Sequence, residues 1–186
     1  SIIDKIVEGD EISFVDDVEI KIEIDNLLSN VSVARVALTS FISSENVSLD
    51  EIMEIKTAIS EAITNSIEHA YSDEINKVVI SAKIFEMDQM RYLSIVVEDF
   101  GKGIEDVELA TTPGFTTKPE LEHAGMGFTI METFMDEVII DSALGKGTKI
   151  TLTKKLKSKE TNNSNGGEKE NEWDTNMWKH NSWIQV

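Results

Sequence analysis

The chain has 186 residues, of which 35 are acidic and 17 are basic, so its formal net charge is -18. This charge repels a phosphate backbone, which argues against direct nucleic-acid binding and favours a basic protein partner. The chain has no cysteine, which excludes disulfides and thiolate metal sites, and no segment resembles a signal peptide or a membrane span, so we expect a cytoplasmic protein.

The predicted elements begin after an acidic extension, residues 1–17, whose apolar positions permit a short helix without requiring one. Val18–Ile24 alternates between apolar and charged residues, as a half-buried strand does. Residues 32–41 have the pattern of a first helix, and a long second helix is predicted from Leu49 to Tyr71. Either Ser48 or Asp50 is expected to cap the second helix.

The second helix carries one apolar arc and one polar arc. The apolar arc, expected to face the core, contains Ile52, Ile55, Ile59, Ile63, Ile67 and Ala70. The polar arc contains Glu61 and Asn65, which are four residues apart and therefore neighbours on one face. An amide oxygen suits Mg²⁺, and a carboxylate one turn away can orient or deprotonate a hydroxyl group. The alternative is a solvated polar face, which the spacing alone does not exclude.

Two strands, Lys77–Phe85 and Tyr92–Val97, are predicted next, and the second leads into the sequence Asp-Phe-Gly-Lys-Gly at residues 99–103. A buried carboxylate at a strand end can accept a hydrogen bond from an exocyclic amino group such as that of adenine. Glycines at Gly101 and Gly103 allow a ligand to approach the main chain closely. The alternative is an ordinary turn, in which Asp and Gly are common.

Residues 104–124 form a polar stretch long enough to be either functional or disordered. Beyond it, Gly125 and Gly127 open a short helix whose free backbone amides would suit an anion, unless they only form a flexible turn. The chain then shows a strand at Val138–Ile140, a Gly-Lys-Gly hairpin turn, and a strand from Thr148 to Lys154. The Thr148 hydroxyl is available to a ligand held by Asp99.

These elements predict an α+β fold, a two-layer sandwich in which helices cover one face of a mixed β-sheet. The domain is expected to span residues 18–157. Residues 158–186 begin with a linker composition, and their three tryptophans step ~140° around a helical wheel, so they form no single helical face. We expect a disordered tail, with a docking segment for a partner as the alternative.

The order of the motifs resembles the ATP-binding domain shared by gyrases, Hsp90 chaperones, MutL and histidine kinases, which has the Bergerat-type fold. Residues 115–122, followed by residues 124–132, are similar to the anti-sigma-F factors of spore-forming bacteria. Residues 33–37 and 54–65 also resemble that family. The resemblance covers residues 18–157 and implies a protein serine kinase that uses ATP and Mg²⁺ and inhibits a sporulation sigma factor.

The resemblance also implies residue roles. Glu61 would be the general base, Asn65 would hold Mg²⁺, Asp99 would bind the adenine amino group, and Thr148 would support that contact. The remaining nucleotide-binding residues that it implies are Gly101, Gly103, Lys118, His123, Gly125, Met126 and Gly127.

Partners follow from the same resemblance. Arg35 would contact the sigma factor, although a solvated helix cation is the alternative. The substrate would be a serine of an anti-anti-sigma factor, and the chain would form a homodimer through its first helix and strand.

One residue departs from the family pattern, because His123 stands where an arginine is expected. A neutral imidazole is a poor substitute for a permanent bidentate cation, so the kinase rate depends on whether Lys118 compensates. Two alternatives therefore stay open. One is an ATP-gated module that sequesters sigma factor with little kinase activity, and the other is a histidine-kinase-like catalytic domain.

Overall fold

The computed structural model describes residues 17–71, 74–114 and 125–157. The predicted tail and most of the acidic extension lie outside these residues, and the predicted limits of the domain stay a prediction. The structure contains, in chain order, β1 (Val18–Asp25), α1 (Leu28–Ser44), α2 (Leu49–Ala70), β2 (Lys77–Met87), β3 (Met90–Asp99), α3 (Val107–Ala110), α4 (Gly127–Phe134), β4 (Glu137–Ala143) and β5 (Gly147–Lys155).

The strands form one sheet in the order β1-β2-β3-β5-β4, and α1, α2 and α4 pack on one face of it. The predicted two-layer α+β sandwich is confirmed. One detail is corrected, because every neighbouring pair of the described strands is antiparallel, so the sheet is not mixed.

The connections explain the antiparallel sheet. Two successive helices, α1 and α2, return the chain to the end at which β1 finished, so β2 must run in the opposite direction. β4 does run parallel to β3, as expected for strands joined through one main helix, but β5 inserts between them. The sequence pattern of single strands does not show such an insertion.

The core lies between the sheet and the helices. Each strand contributes alternate residues, as the two-residue period of a strand requires. On β2 these residues are Val78, Ile80, Ala82 and Ile84, all at most 3% exposed. From the predicted apolar arc of α2, five of the six residues are buried, while Ile52 is half-buried at the edge of the core.

The start of α2 is fixed by a reciprocal capping box, which decides between the two predicted caps in favour of Ser48. The Ser48 hydroxyl accepts a hydrogen bond from the Glu51 amide at 3.3 Å and donates one to Glu51 Oε2 at 2.7 Å. The other carboxylate oxygen, Oε1, accepts a hydrogen bond from the Lys157 amide at 2.8 Å. Glu51, which is 1% exposed, therefore joins the start of α2 to the chain beyond β5.

Burial acts to raise the pKa of Glu51, but the hydrogen bonds from Lys157 and Ser48 outweigh it and hold the pKa below the ordinary value of 4.5. A lowered pKa means that ionised Glu51 stabilises the folded state above its unfolded pKa. This stabilisation is lost as the pH falls through the folded pKa.

We expect Glu51→Gln to lower the free energy of unfolding by about 1–3 kcal/mol at pH 7, because an amide nitrogen cannot accept the bonds that Oε2 receives. The difference from the original chain should shrink as the pH falls below 4.5, when Glu51 itself becomes protonated. Urea denaturation at several pH values measures both effects. Glu132→Gln, at an exposed position of α4, is the control, and equal stability of both variants at pH 7 would contradict the assigned role.

Candidate functional site

A cavity of about 890 Å³ lies between α2, the end of β3, α3 and the start of α4. Its volume is within the range of small-molecule sites, roughly 300–1,000 Å³. Six residues that the sequence predicted for binding line it, namely Asn65, Asp99, Gly103, Gly125, Gly127 and Thr148. Apolar side chains form much of the remaining wall, among them Ile104, Leu109, Phe128, Leu144 and Ile150. The cavity therefore combines an apolar interior with a few polar groups.

Asp99 is the most buried charged group in this cavity, at 3% exposed. Its Oδ1 accepts hydrogen bonds from the backbone amides of Gly101 and Thr148, both at 3.1 Å. Burial raises the pKa of Asp99, while these two amides and the nearby Ser66 hydroxyl act in the opposite direction. Because both backbone bonds go to one oxygen, the other oxygen, Oδ2, can accept a hydrogen bond from a ligand.

The two glycines after Asp99 act in different ways. Gly101 does not line the cavity, but a Cβ there would overlap the backbone carbonyl of Ala70. Because Gly101 has no side chain, the chain can pass against the end of α2, where the Lys102 amide donates to Ala70 O at 2.8 Å. Gly103 lines the cavity with a φ of +73°, a conformation that side chains disfavour. Both glycines fix the course of the chain beside the cavity, and their part in nucleotide binding stays a prediction.

Thr148 is held by a serine that sequence reasoning missed. Ser142 on β4 accepts a hydrogen bond from the Ile104 amide at 2.8 Å and lies 2.9 Å from the Thr148 hydroxyl. Ser142 also donates to Gly147 O at 3.0 Å, so the Thr148 hydroxyl must then supply the proton that the two hydroxyls share. This arrangement leaves the lone pairs of Thr148 Oγ1 as acceptors. The only signal for Ser142 in the sequence was a polar residue within a short apolar strand.

Ser66 is a second residue that the motifs missed. Its hydroxyl is buried and lines the cavity close enough to Asp99 to act against the rise in the pKa of that carboxyl, but it makes no hydrogen bond of good geometry with the described residues. Buried hydroxyls without partners are uncommon, so a ligand or a water molecule is expected to meet it. A polar residue among the buried positions of an amphipathic helix was the available signal.

Glu61 and Asn65 are brought together at the start of α4. A Cβ on Gly127 would lie 3.1 Å from Asn65 Nδ2 and 3.2 Å from Glu61 Oε2, so a side chain there would press against both groups. The first turn of α4 has no side-chain cap, and its backbone amides are oriented as in an anion site. Asn65 lines the cavity, whereas Glu61 lies one turn back along α2.

The other predicted site residues are more distant or fall outside the described residues. Met126, 42% exposed, precedes α4 but does not line the cavity. Lys118 and His123 lie in residues 115–124, outside the described residues. The ends of that segment meet, because the Gly114 amide donates to Gly125 O at 2.9 Å. Arg35 is a half-exposed residue of α1, away from the cavity.

Neither a metal cluster nor a membrane helix is found in residues 17–71, 74–114 and 125–157. No group of three or more His, Asp or Glu side chains is placed to hold a metal ion. No helix in these ranges has both the length and the apolar character needed to cross a membrane.

Comparisons with known proteins agree with the geometry. Residues 24–154 match the family model described as a histidine kinase-like ATPase domain. The anti-sigma F factor of Clostridium novyi is 50% identical over 141 residues, which are 75% of this chain and 96% of that protein. The anti-sigma F factor of Bacillus subtilis is also 50% identical, over 139 residues, covering 74% of this chain and 92% of its own.

A solved structure shows the same fold. The crystal structure of the RsbU and RsbW domains of a Mycobacterium tuberculosis protein matches with a TM-score of 0.53 at 21% identity. The match covers 75% of this chain and 32% of that chain.

The raised pKa of Asp99 predicts a pH dependence of stability. Its folded pKa lies above the unfolded value of 3.8, so ionised Asp99 opposes folding at neutral pH. This penalty decreases as the pH falls below the folded pKa and is gone below the unfolded value of 3.8. We expect Asp99→Asn, whose Oδ1 can accept the same two amide bonds, to be at least as stable as the original chain at pH 7.

Urea denaturation without ligand from pH 4 to 8 measures this effect. The stability advantage of Asp99→Asn should diminish at the acid end. Asp141→Asn, an exposed carboxyl on β4, is the control. A loss of stability in Asp99→Asn that is equal at every pH would contradict the prediction.

Proposed function

The chain belongs to the anti-sigma F factor family of histidine kinase-like ATPases, and from this premise we propose that it binds ATP with Mg²⁺ in the cavity beside Asp99. We further propose that it inhibits a sporulation sigma factor in the cytoplasm and phosphorylates a serine of an anti-anti-sigma factor. The buried carboxylate of Asp99 is the observation on which the nucleotide assignment depends.

The geometry at Asp99 suits adenine. Oδ1 is occupied by two backbone amides, so Oδ2 is left to accept from a ligand donor, and the 6-amino group of adenine is such a donor. The Ser66 hydroxyl and the Thr148 lone pairs lie on the same wall and offer further hydrogen bonds. The apolar side chains around them would bury the flat faces of the base.

The phosphates are assigned to the other end of the cavity, at the start of α4. Gly125 and Gly127 line the cavity there, and the uncapped amides of α4 would stabilise negative charge. Asn65 faces the same point and offers an amide oxygen to Mg²⁺. Mg²⁺ commonly takes one or two protein ligands and completes its shell with phosphates and water, and it would neutralise charge on the phosphates.

Glu61 is proposed as the general base. The substrate serine oxygen attacks the γ-phosphorus, the bond from that phosphorus to the bridging oxygen breaks, and ADP leaves. Glu61 accepts the proton of the serine hydroxyl. Its place one turn from Asn65, against Gly127, sets it beside the proposed phosphate position. Lys118 and His123 are proposed to act on the terminal phosphate from residues 115–124.

The sigma factor is assigned to the exposed surface of α1. Arg35 is half-exposed on this helix, and Val33 and Val36, which are three residues apart and therefore neighbours on another side of it, are each 61% exposed. Exposed apolar side chains and an arginine on one helix have the composition of a protein-binding surface. The net charge of -18 favours a basic partner. We also propose that the chain forms a homodimer through its first helix and strand.

A second candidate function rests on His123. With an imidazole in place of the expected arginine, the chain would hold ATP and sequester sigma factor without appreciable phosphoryl transfer. Transfer of labelled γ-phosphate to a serine of the anti-anti-sigma factor distinguishes the two. Label on serine establishes the kinase, whereas ATP binding without label supports the sequestering module.

Asp99→Asn should change which base is preferred. The two backbone amides would keep the side-chain oxygen as their acceptor, so the new NH₂ group would face the 6-amino group of adenine. We expect ATP binding to weaken about 10- to 100-fold, as for the loss of a hydrogen bond to a charged group. Binding of ITP, whose 6-oxo group accepts a hydrogen bond, should weaken much less.

Calorimetric titration with both nucleotides tests this prediction. Glu98→Gln, the adjacent carboxyl on the opposite face of β3, is the control. An equal loss of affinity for ATP and ITP would remove the assignment of Oδ2 to the adenine amino group.

Glu61→Gln should retain nucleotide affinity and lose about 10²- to 10⁴-fold in the rate of phosphoryl transfer, because the amide cannot take the serine proton. Affinity is measured by titration and transfer by labelled ATP. Asn65→Ala is the comparison, since it should weaken Mg²⁺-dependent nucleotide binding as well. A normal transfer rate in Glu61→Gln would show that Glu61 is not the base.

A further inference from the structure

The sheet has a second face, opposite the helices, on which no helix of the described residues packs. Four residues on it are nevertheless buried, and we call them the open-face cluster: Phe85 is 5% exposed, Met87 9%, Tyr92 8% and Thr153 0%. The rings of Phe85 and Tyr92 stack with their centroids 5.7 Å apart. Alternation along β2, β3 and β5 places all four opposite the main core.

These side chains cannot bury one another to this extent. No helix of the described residues covers this side of the sheet, and a side chain on an uncovered sheet face stays partly exposed. Other positions of the same face, such as Ser94 and Val96, are only half-buried. The low exposure of the cluster therefore calls for a covering segment.

Buried polar atoms on the same face indicate what the covering segment must supply. Asp17 Oδ1, Glu137 Oε2 and Thr153 Oγ1 are buried and have no hydrogen-bond partner among the described residues. Glu137 is paired directly with Thr153 across β4 and β5. Leaving such atoms buried and unpaired is unfavourable, so the covering segment should bring hydrogen-bond donors as well as apolar side chains.

The course of the chain points to the residues before β1. Continuing the pairing of β1 with β2 sets residue 17 opposite Phe85, since Val18 is opposite Ile84. Asp17 Oδ2 lies 2.7 Å from Lys83 Nζ, whose side chain is on the open face. Asp17, the first described residue, therefore lies on the open face beside the open-face cluster.

Residues 158–186 are the other segment that could cover the cluster, but the chain before them lies on the opposite side of the sheet. After β5, Leu156 is 2% exposed within the main core, and the Lys157 amide binds Glu51 at the start of α2. Lys157, the last residue before this segment, therefore lies on the helical side of the sheet.

We propose that residues 1–16 pack across the open-face cluster and form a second small core with it. Seven of these residues are apolar, namely Ile2, Ile3, Ile6, Val7, Ile12, Phe14 and Val15. A segment of sixteen residues spans ~24 Å as a helix or ~50 Å when extended. Neighbouring strands are only ~4.8 Å apart, so this segment is long enough to cross the three strands that carry the cluster. Backbone amides of the segment supply donors for the unpaired oxygens. The segment lies outside the match to the ATPase family, residues 24–154.

The absence of cysteine makes a direct test available. Thr153→Cys places a single thiol in the cluster, and its reaction rate with a thiol reagent is measured in the full chain. The same rate is then measured without residues 1–16 and, as a matched control, without residues 158–186. Removal of residues 1–16 should accelerate the reaction at least about tenfold, and removal of residues 158–186 should leave it unchanged.

Ala82→Cys distinguishes local exposure from unfolding, because Ala82 is 1% exposed on the opposite face of β2. Its thiol should stay protected without residues 1–16. The proposal is overturned if the thiol at position 153 keeps its rate without residues 1–16, or is exposed only by removal of residues 158–186.

If the shortened chain unfolds and both thiols react quickly, Phe14→Asp in the full chain decides the question. This variant should expose the thiol at position 153 while the thiol at position 82 stays protected. Ile75→Asp, at a position already 71% exposed, is the control. Unchanged protection at position 153 in Phe14→Asp overturns the proposal.

Discussion

The site depends on keeping one carboxylate, that of Asp99, almost completely out of water. Burying a charge is costly, and hydrogen bonds from two backbone amides of different segments offset part of that cost here, although the pKa of Asp99 is still raised. For these amides to reach Oδ1, the chain after β3 must turn against the end of α2, and β5 must lie beside β3. Gly101 permits that turn, and the insertion of β5 into the sheet places Thr148 beside Asp99, so both features are needed for the two hydrogen bonds.

Much of the fold could be predicted because its elements are locally consistent. The alternation in β1, the capping box at Ser48 and the apolar arc of α2 each determine a structure that neighbouring residues support. The antiparallel sheet could not be predicted in the same way, since it depends on the insertion of β5, a relation between distant segments. The pattern of single strands does not contain that relation.

The same difference between local patterns and contacts of distant segments decides which site residues could be predicted. Asp99, Asn65 and the glycines could be proposed from short motifs, because each occupies a strand end or a helix start where its chemistry is usable. Ser142 and Ser66 were missed because their importance comes from contacts across strands and helices. The buried polar atoms of the open face were also beyond sequence reasoning, as alternation alone predicts that such a face is half-exposed.

The hydrogen bond between Lys157 and Glu51 joins residues 106 positions apart, and that between Thr148 and Asp99 joins residues 49 apart. During synthesis on the ribosome, the hairpin of β2 and β3 can form while β5 is still to be made. Asp99 then lies beside β2 but lacks β5 and the hydrogen bond from the Thr148 amide, and the start of α2 lacks its last hydrogen bond. The cavity proposed for the nucleotide is therefore completed only when nearly all of the domain has emerged, so an unfinished chain lacks the complete site and does not compete with finished molecules for a ligand.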